Sequence, residues 1–162
     1  MKKKSIELLN NAVANEFSAM HQYLYFHFHC NDQGILKIAA LFKKAAGDEM
    51  DHVEKLANRI IFLKGDVNME PVRSVQKIKS VKEMLQLARS MEDESANEYI
   101  VSAYKCSLHE DVPSKKLFET LIAEKGKHFN EFDLHIENIG KYGDNYLALQ
   151  EVNRTSSISS MN

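Results

Sequence analysis

The chain has 162 residues, 44% of them hydrophobic and 27% charged, with a formal net charge of −2. That length suits one domain with a sizeable core, and the near-balanced charge gives no strong polyanion-binding signal overall. Two cysteines, Cys30 and Cys106, with no CxxC pair exclude a disulfide scaffold and a zinc-ribbon or rubredoxin-like module.

No apolar run reaches the ~18 residues needed to span a bilayer. No secretory leader is visible, so a reduced, cytoplasmic setting is expected. The basic start, Met1-Lys2-Lys3-Lys4, is too short to read as a nucleic-acid arm. Two prolines and six glycines leave room for long helices. A first amphipathic segment runs from about Ser5 to Asn31 and stops at Asp32-Gln33-Gly34. A second runs from about Ile35 to Lys64 and stops at Gly65. A longer connection over 65–79 contains Pro71.

Ser80-Val81-Lys82-Glu83 then has the capping-box spacing and opens a third helix that ends near Glu110. Asp111-Val112-Pro113 opens a fourth, with proline near a helix start where its missing N–H does no harm. It ends around Gly140 to Gly143. Asn145 to Gln150 reads as a short fifth helix. The serine-rich stretch 153–162 reads as a polar, disordered tail beyond a single domain over 1–152. Short joins within each half and one long join between them predict an all-α fold. It is a four-helix bundle of the ferritin-like kind, with one long crossover and a short C-terminal helix.

The inward stripes of these helices carry the chemistry. Helix two reads Ile35, Ile38, Phe42, Ala45, Glu49, His52, Leu56, Ile60, Leu63, so Glu49 and His52 interrupt an apolar line. Glu16 interrupts Ile6, Leu9, Val13, Met20, Tyr23, His27 and Cys30 on helix one. Glu92 interrupts Val81, Leu85, Ala88, Ser95, Tyr99, Ser102 and Cys106 on helix three. Lys125 and His128 interrupt Phe118, Leu121, Phe132, His135 and Ile139 on helix four. Several buried carboxylates without a cation cost many kcal/mol. Each interruption falls near its helix midpoint, and midpoints meet at one level in an up-and-down bundle. Glu16, Glu49, His52, Glu92 and His128 are therefore expected to converge as a transition-metal site, most naturally a di-iron one. His27 is expected to be a core histidine with a local partner, and Cys30 and Cys106 to lie too far apart to pair.

The segments 15-NEFSAMHQY-23, 48-DEMDH-52, 62-FLKGDVN-68, 91-MED-93 and 144-DNYLALQ-150 carry a further signal. Over residues 5 to 150 the chain resembles the bacterioferritins of the ferritin-like superfamily. The resemblance implies that Glu16, Glu49, His52, Glu92 and His128 bind two irons and catalyse ferrous oxidation by oxygen or peroxide. It places Tyr23 near the site and implies storage of ferric product in a homo-oligomeric hollow cage of about twenty-four subunits. A ferredoxin-type reductant would release the iron. Met50 matches a residue whose thioether ligates haem b across a two-fold interface. Its position one residue off the inward stripe lets it point sideways toward a neighbour.

The sequence departs from the family on helix four, where Lys125 stands in place of the metal-ligand glutamate of an ExxH motif. Glu124 is a substitute ligand if it rotates inward, and Lys125 can snorkel outward or lose its proton through burial. With Lys125 inward and charged, Glu16, Glu49 and Glu92 leave a net of about −2, which suits one divalent ion. The expectation is a well-filled site at Glu16, Glu49 and His52 and a weak one near Glu92 and His128. Competing functions are a cage subunit with weak ferroxidase chemistry that contributes haem and shell, and a rubrerythrin-type peroxidase, which the missing CxxC pairs disfavour. A DNA-binding mini-ferritin and a metal-free structural bundle are further alternatives. No nucleic-acid or membrane partner is expected.

Overall fold

The computed structural model describes residues 2–159, with side chains described through residue 152. Five helices follow in order: α1 (Lys2–Asp32), α2 (Leu36–Phe62), α3 (Val81–Leu108), α4 (Val112–Tyr142) and α5 (Asn145–Ser159). No strand occurs among the described residues. The pairs α1–α2 and α3–α4 pack most closely, each joined by a tight turn, as the short joins require.

Local chemistry sets the helix ends. Gly34 turns the chain at φ 75°, and the Ile35 N–H reaches back to the Cys30 carbonyl at 2.9 Å, closing α1. The Ser80 hydroxyl accepts from the Glu83 N–H at 3.4 Å, the forward half of the expected capping box. The Asp111 carboxylate accepts from the Ser114 N–H at 3.2 Å and caps α4, with Pro113 in its first turn. After α2 the chain passes close to α1: a Cβ on Gly65 would lie 2.8 Å from the Ile6 side chain.

Between α2 and α3 the long connection crosses the bundle and is strapped to α1. The buried Ser18 hydroxyl accepts from the N–H groups of Val72 at 2.9 Å and Arg73 at 3.0 Å. Buried Gln22 pairs both ways with the Gln76 backbone, at 2.7 Å and 3.0 Å. Buried polar side chains thus satisfy a segment that makes few backbone bonds of its own.

The core divides in two. One cluster holds Tyr23, Phe26, Phe42, Met84 and Phe132. The other holds Leu9, Val13, Leu56, Ile60, Phe118 and Leu121. Cys30 belongs to the first and Cys106 to the second, and both are free thiols. Polar residues of all four long helices occupy the level between the clusters.

The C-terminal helix is longer than the sequence suggests. α5 continues to Ser159, so 153–159 is helical backbone, in contrast to the expected disordered tail, while 160–162 fall outside the described residues. Serine, threonine and asparagine are poor but permitted helix residues, and a polar composition alone does not end a helix without Gly or Pro.

Candidate metal centre

Each inward stripe delivers its polar residue to the same place. Glu16 and Glu49 are completely buried, Glu92 and Lys125 are 1% exposed, and His52 and His128 are 2% exposed. Two overlapping three-residue groups result: Glu16, Glu49 and His52, and Glu49, Glu92 and His128. Within each, one ligand-type atom per residue lies within 4.8 Å of the others. Glu49 belongs to both, because its two oxygens face opposite ways. Oε2 lies 3.1 Å from His52 Nδ1, and Oε1 lies 3.1 Å from His128 Nδ1.

Lys125 points into the middle of this layer. Its Nζ donates to Glu49 Oε2 at 2.7 Å and to Glu16 Oε2 at 2.9 Å, and lies 3.6 Å from Glu92 Oε2. Burial pulls the Lys125 pKa down, but the charges of Glu49 and Glu92 outweigh it and hold the amine above its ordinary value. It therefore stays an ammonium. Neither escape considered from the sequence operates. Lys125 does not snorkel outward, and Glu124 does not replace it. Glu124 faces away from the cluster and pairs with Lys127 at 3.3 Å on a partly exposed surface. The physical reason is helical: position 124 lies about 100° round α4 from position 125, so only one of the two can face the core.

Further groups hold these candidate ligand side chains in place. The Tyr23 hydroxyl donates to Glu92 Oε1 at 2.5 Å. The Tyr99 hydroxyl donates to Glu16 Oε1 at 2.7 Å. His128 Nε2 faces Asp48 Oδ2 at 2.9 Å, and Asp48 in turn pairs with Lys44 at 3.1 Å. Burial lowers the His128 pKa, but its contacts with Glu49 and Glu92 prevail and push it up to about 11. A proton must leave Nδ1 before that nitrogen can bind a metal. Burial pushes the Glu92 carboxyl above its usual range, whereas Lys125 and the two histidines overcome burial at Glu49 and hold it well below.

Sequence reasoning placed the five ligand-type residues and missed Asp48 and the Tyr99–Glu16 bond. Tyr99 was on the α3 stripe, but a phenol there reads as packing. Asp48 precedes Glu49 and reads as a solvated neighbour, although the helix twist brings it to His128. His27 is half-buried at the edge of the bundle and not in the core as expected, and its Nδ1 lies 2.8 Å from the Ala39 carbonyl of α2. Met50 lies on the outer side of α2 and is 50% exposed. Gly47, one turn earlier, has open space where a Cβ would sit. An exposed thioether beside open space fits an axial haem ligand shared with another molecule.

Four long antiparallel helices around a buried carboxylate–histidine layer define a ferritin-like metal protein. Residues 6–141 match the ferritin-like domain family. The bacterioferritin of Brucella melitensis is 32% identical over 87% of this chain and 88% of its own length. That of Desulfovibrio desulfuricans is 33% identical over 91% of this chain and 82% of its own. The chain belongs to the bacterioferritins. The solved Desulfovibrio structure, with its di-iron site in different catalytic states, superposes with a TM-score of 0.89 and covers 91% of this chain and 86% of that one. The Rhodobacter capsulatus bacterioferritin, solved with a metal-free dinuclear site and haem iron in a crystallographic special position, superposes with a TM-score of 0.88. It is 28% identical and covers 92% of this chain and 93% of that one.

Proposed function

We propose that this chain is an iron-storage subunit. It takes ferrous iron as substrate at the buried layer, oxidises it with oxygen or peroxide, and stores ferric product in a hollow homo-oligomeric cage. The observation that carries this reading is the convergence of Glu16, Glu49, His52, Glu92 and His128 in two ligand groups that share Glu49. Carboxylate oxygens with imidazole nitrogens suit ferrous and other divalent first-row ions. Iron bound there supplies one-electron chemistry. The protein's own residues position it: Tyr99 fixes Glu16, Tyr23 fixes Glu92, and Asp48 orients His128.

Assembly is supported by the exposed apolar side chains Phe28, Ile61, Phe62, Tyr104 and Leu108, which a monomer would leave in water. Met50 is the proposed haem ligand, by its exposure and by the haem in the Rhodobacter relative. No described helix is long and apolar enough to cross a membrane. Two free thiols support a cytoplasmic location. A second reading, a cage subunit with weak oxidation chemistry, is favoured by one observation, the ammonium of Lys125 among the ligand oxygens.

The test is to add ferrous iron in air to the purified assembly. Ferric absorbance should be retained with the protein on gel filtration, and iron cores should be visible by electron microscopy. A protein fraction carrying no more iron than an unrelated helical protein would sink the storage reading.

A further inference from the structure

We propose that Lys125 is a built-in cation that fills one of the two metal positions, so that each subunit binds a single divalent ion at Glu49, Glu92 and His128. This rests on the reading of the buried layer as a metal centre.

The placement of the amine carries the inference. Lys125 Nζ bonds the same two oxygens, Glu16 Oε2 and Glu49 Oε2, that lie 3.3 Å and 3.1 Å from His52 Nδ1. Those three atoms are the ligand set of the first group, so the ammonium sits where a metal would have to approach. The remaining Glu16 oxygen is taken by Tyr99. Every acceptor of Glu16 therefore has a donor from this chain, and a metal at the first group would have to evict Lys125.

The second group differs. Glu49 Oε1 and His128 Nδ1 face each other at 3.1 Å on the side away from the Lys125 hydrogen bonds. Glu92 Oε2, in a residue 1% exposed, has no hydrogen-bond partner among the described residues, since Lys125 is beyond bonding reach at 3.6 Å. A buried carboxylate oxygen without a hydrogen bond is costly, and with Lys125 standing off at ion-pair distance this one is the carboxylate oxygen of the layer least satisfied by the chain itself. Glu92 also lines a cavity of about 300 Å³ between α3 and α4, together with Asp93, Ala96, Lys125, Gly126 and Asn130. Small residues at 96 and 126 leave it open, and Asp93 adds an attractive charge at its wall. The cavity gives a hydrated divalent ion a route to Glu92 along a wall that Lys125 shares.

Charge agrees with geometry. Once His128 has given up its Nδ1 proton to the incoming ion's solvent, three glutamates and one ammonium leave about −2, which one divalent ion neutralises and two would overshoot to about +2 in a low-dielectric setting. This reverses the expectation from sequence, which put the well-filled position at Glu16, Glu49 and His52. Spacing alone could not show which carboxylates the amine would choose.

The decisive measurement is zinc stoichiometry of the full-length assembly, by calorimetry and elemental analysis, with anomalous scattering at the zinc edge to locate the ion. Zinc avoids any dependence on oxidation. One zinc per subunit, placed at Glu49, Glu92 and His128, is expected, rising to two in Lys125→Glu. Two zincs in the unaltered protein would overturn the inference, as would a single zinc at Glu16, Glu49 and His52. Should Lys125→Glu fail to assemble, the count and position in the unaltered protein still decide. An absence of zinc from this layer in both proteins would overturn the metal-centre reading itself. Retained iron cores together with two zincs would leave that reading standing and remove only the role of Lys125.

Discussion

Replacing Lys125 by methionine separates its charge from its volume. Methionine is flexible and of similar length, so it can occupy the same channel between Tyr99 and the glutamates without leaving a large void. What disappears is the ammonium that bonds Glu16 and Glu49 and lies near Glu92. Removing one partner of a buried ion pair costs about 3–5 kcal/mol, because the other charge stays behind unpaired. For a chain of this size each kcal/mol moves the midpoint by about 2–4 °C, so Lys125→Met should melt about 6–20 °C lower in the presence of a chelator. Zinc at about a hundred times its dissociation constant should return about 2.7 kcal/mol to either protein at a single site. The variant has freed the first ligand group as well, so it should gain more than the unaltered chain. The assay is thermal unfolding followed by circular dichroism, at one fixed protein concentration, in chelator and in zinc. Equal midpoints for variant and unaltered protein in chelator would show that Lys125 does not neutralise the layer, and the reasoning from its hydrogen bonds would fail.

Three further outcomes are expected. Glu49→Ala removes the one side chain common to both ligand groups, so it should lower bound divalent metal in the isolated protein more than Glu16→Ala does; equal losses by elemental analysis would contradict its bridging place. Met50→Leu should abolish the six-coordinate absorption spectrum obtained on haem reconstitution while leaving zinc stoichiometry unchanged, and a retained spectrum would refute Met50 as ligand. Asp111 titrates away from the metal layer: burial raises its pKa, but the Ser114 N–H at 3.2 Å and Arg59 at 2.7 Å outweigh that and hold it below the usual carboxylate range. A group with a depressed folded pKa contributes stability above its unfolded value of about 3.9 and loses it as pH falls through the folded value. Asp111→Asn should therefore be less stable than the unaltered protein at pH 6, and the gap should close below about pH 4; a gap that stays constant across this range by thermal melts would rule out the titration.

The bundle was legible because its apolar residues keep helical spacing for many turns and its interruptions coincide in height. Glu16, Glu49, His52, Glu92 and His128 could be found for the same reason: a charge on an apolar stripe is conspicuous, and four stripes agree. Ser18 and Gln22 were not legible. They are buried to hold the backbone at 72, 73 and 76, and nothing local to α1 reveals which segment will cross it. The length of α5 was hidden differently. Residues 153–159 carry no apolar face, so periodicity gave no signal there, although the backbone continues as a helix.

Lys125 marks the limit of sequence reading most clearly, because its presence on the inward stripe was visible and its effect was not. A lysine at the level of three glutamates has three outcomes: deprotonation, withdrawal to the surface, or pairing. Desolvation favours the first two, and three nearby carboxylates favour the third. Which prevails depends on distances of a few tenths of an ångström, and at 2.7 Å and 2.9 Å pairing prevails. The consequence reaches beyond one site. In a centre made only of carboxylates and imidazoles, the buried negative charge needs protons or metal before the bundle is comfortable. Here part of that need is met by a covalently attached cation, which cannot diffuse away. The chain thereby gains a bundle whose folding depends less on iron supply, and it gives up one binding position at the centre. Stability of the cage and speed of iron oxidation should therefore move in opposite directions at position 125, with Lys favouring the first and Glu the second.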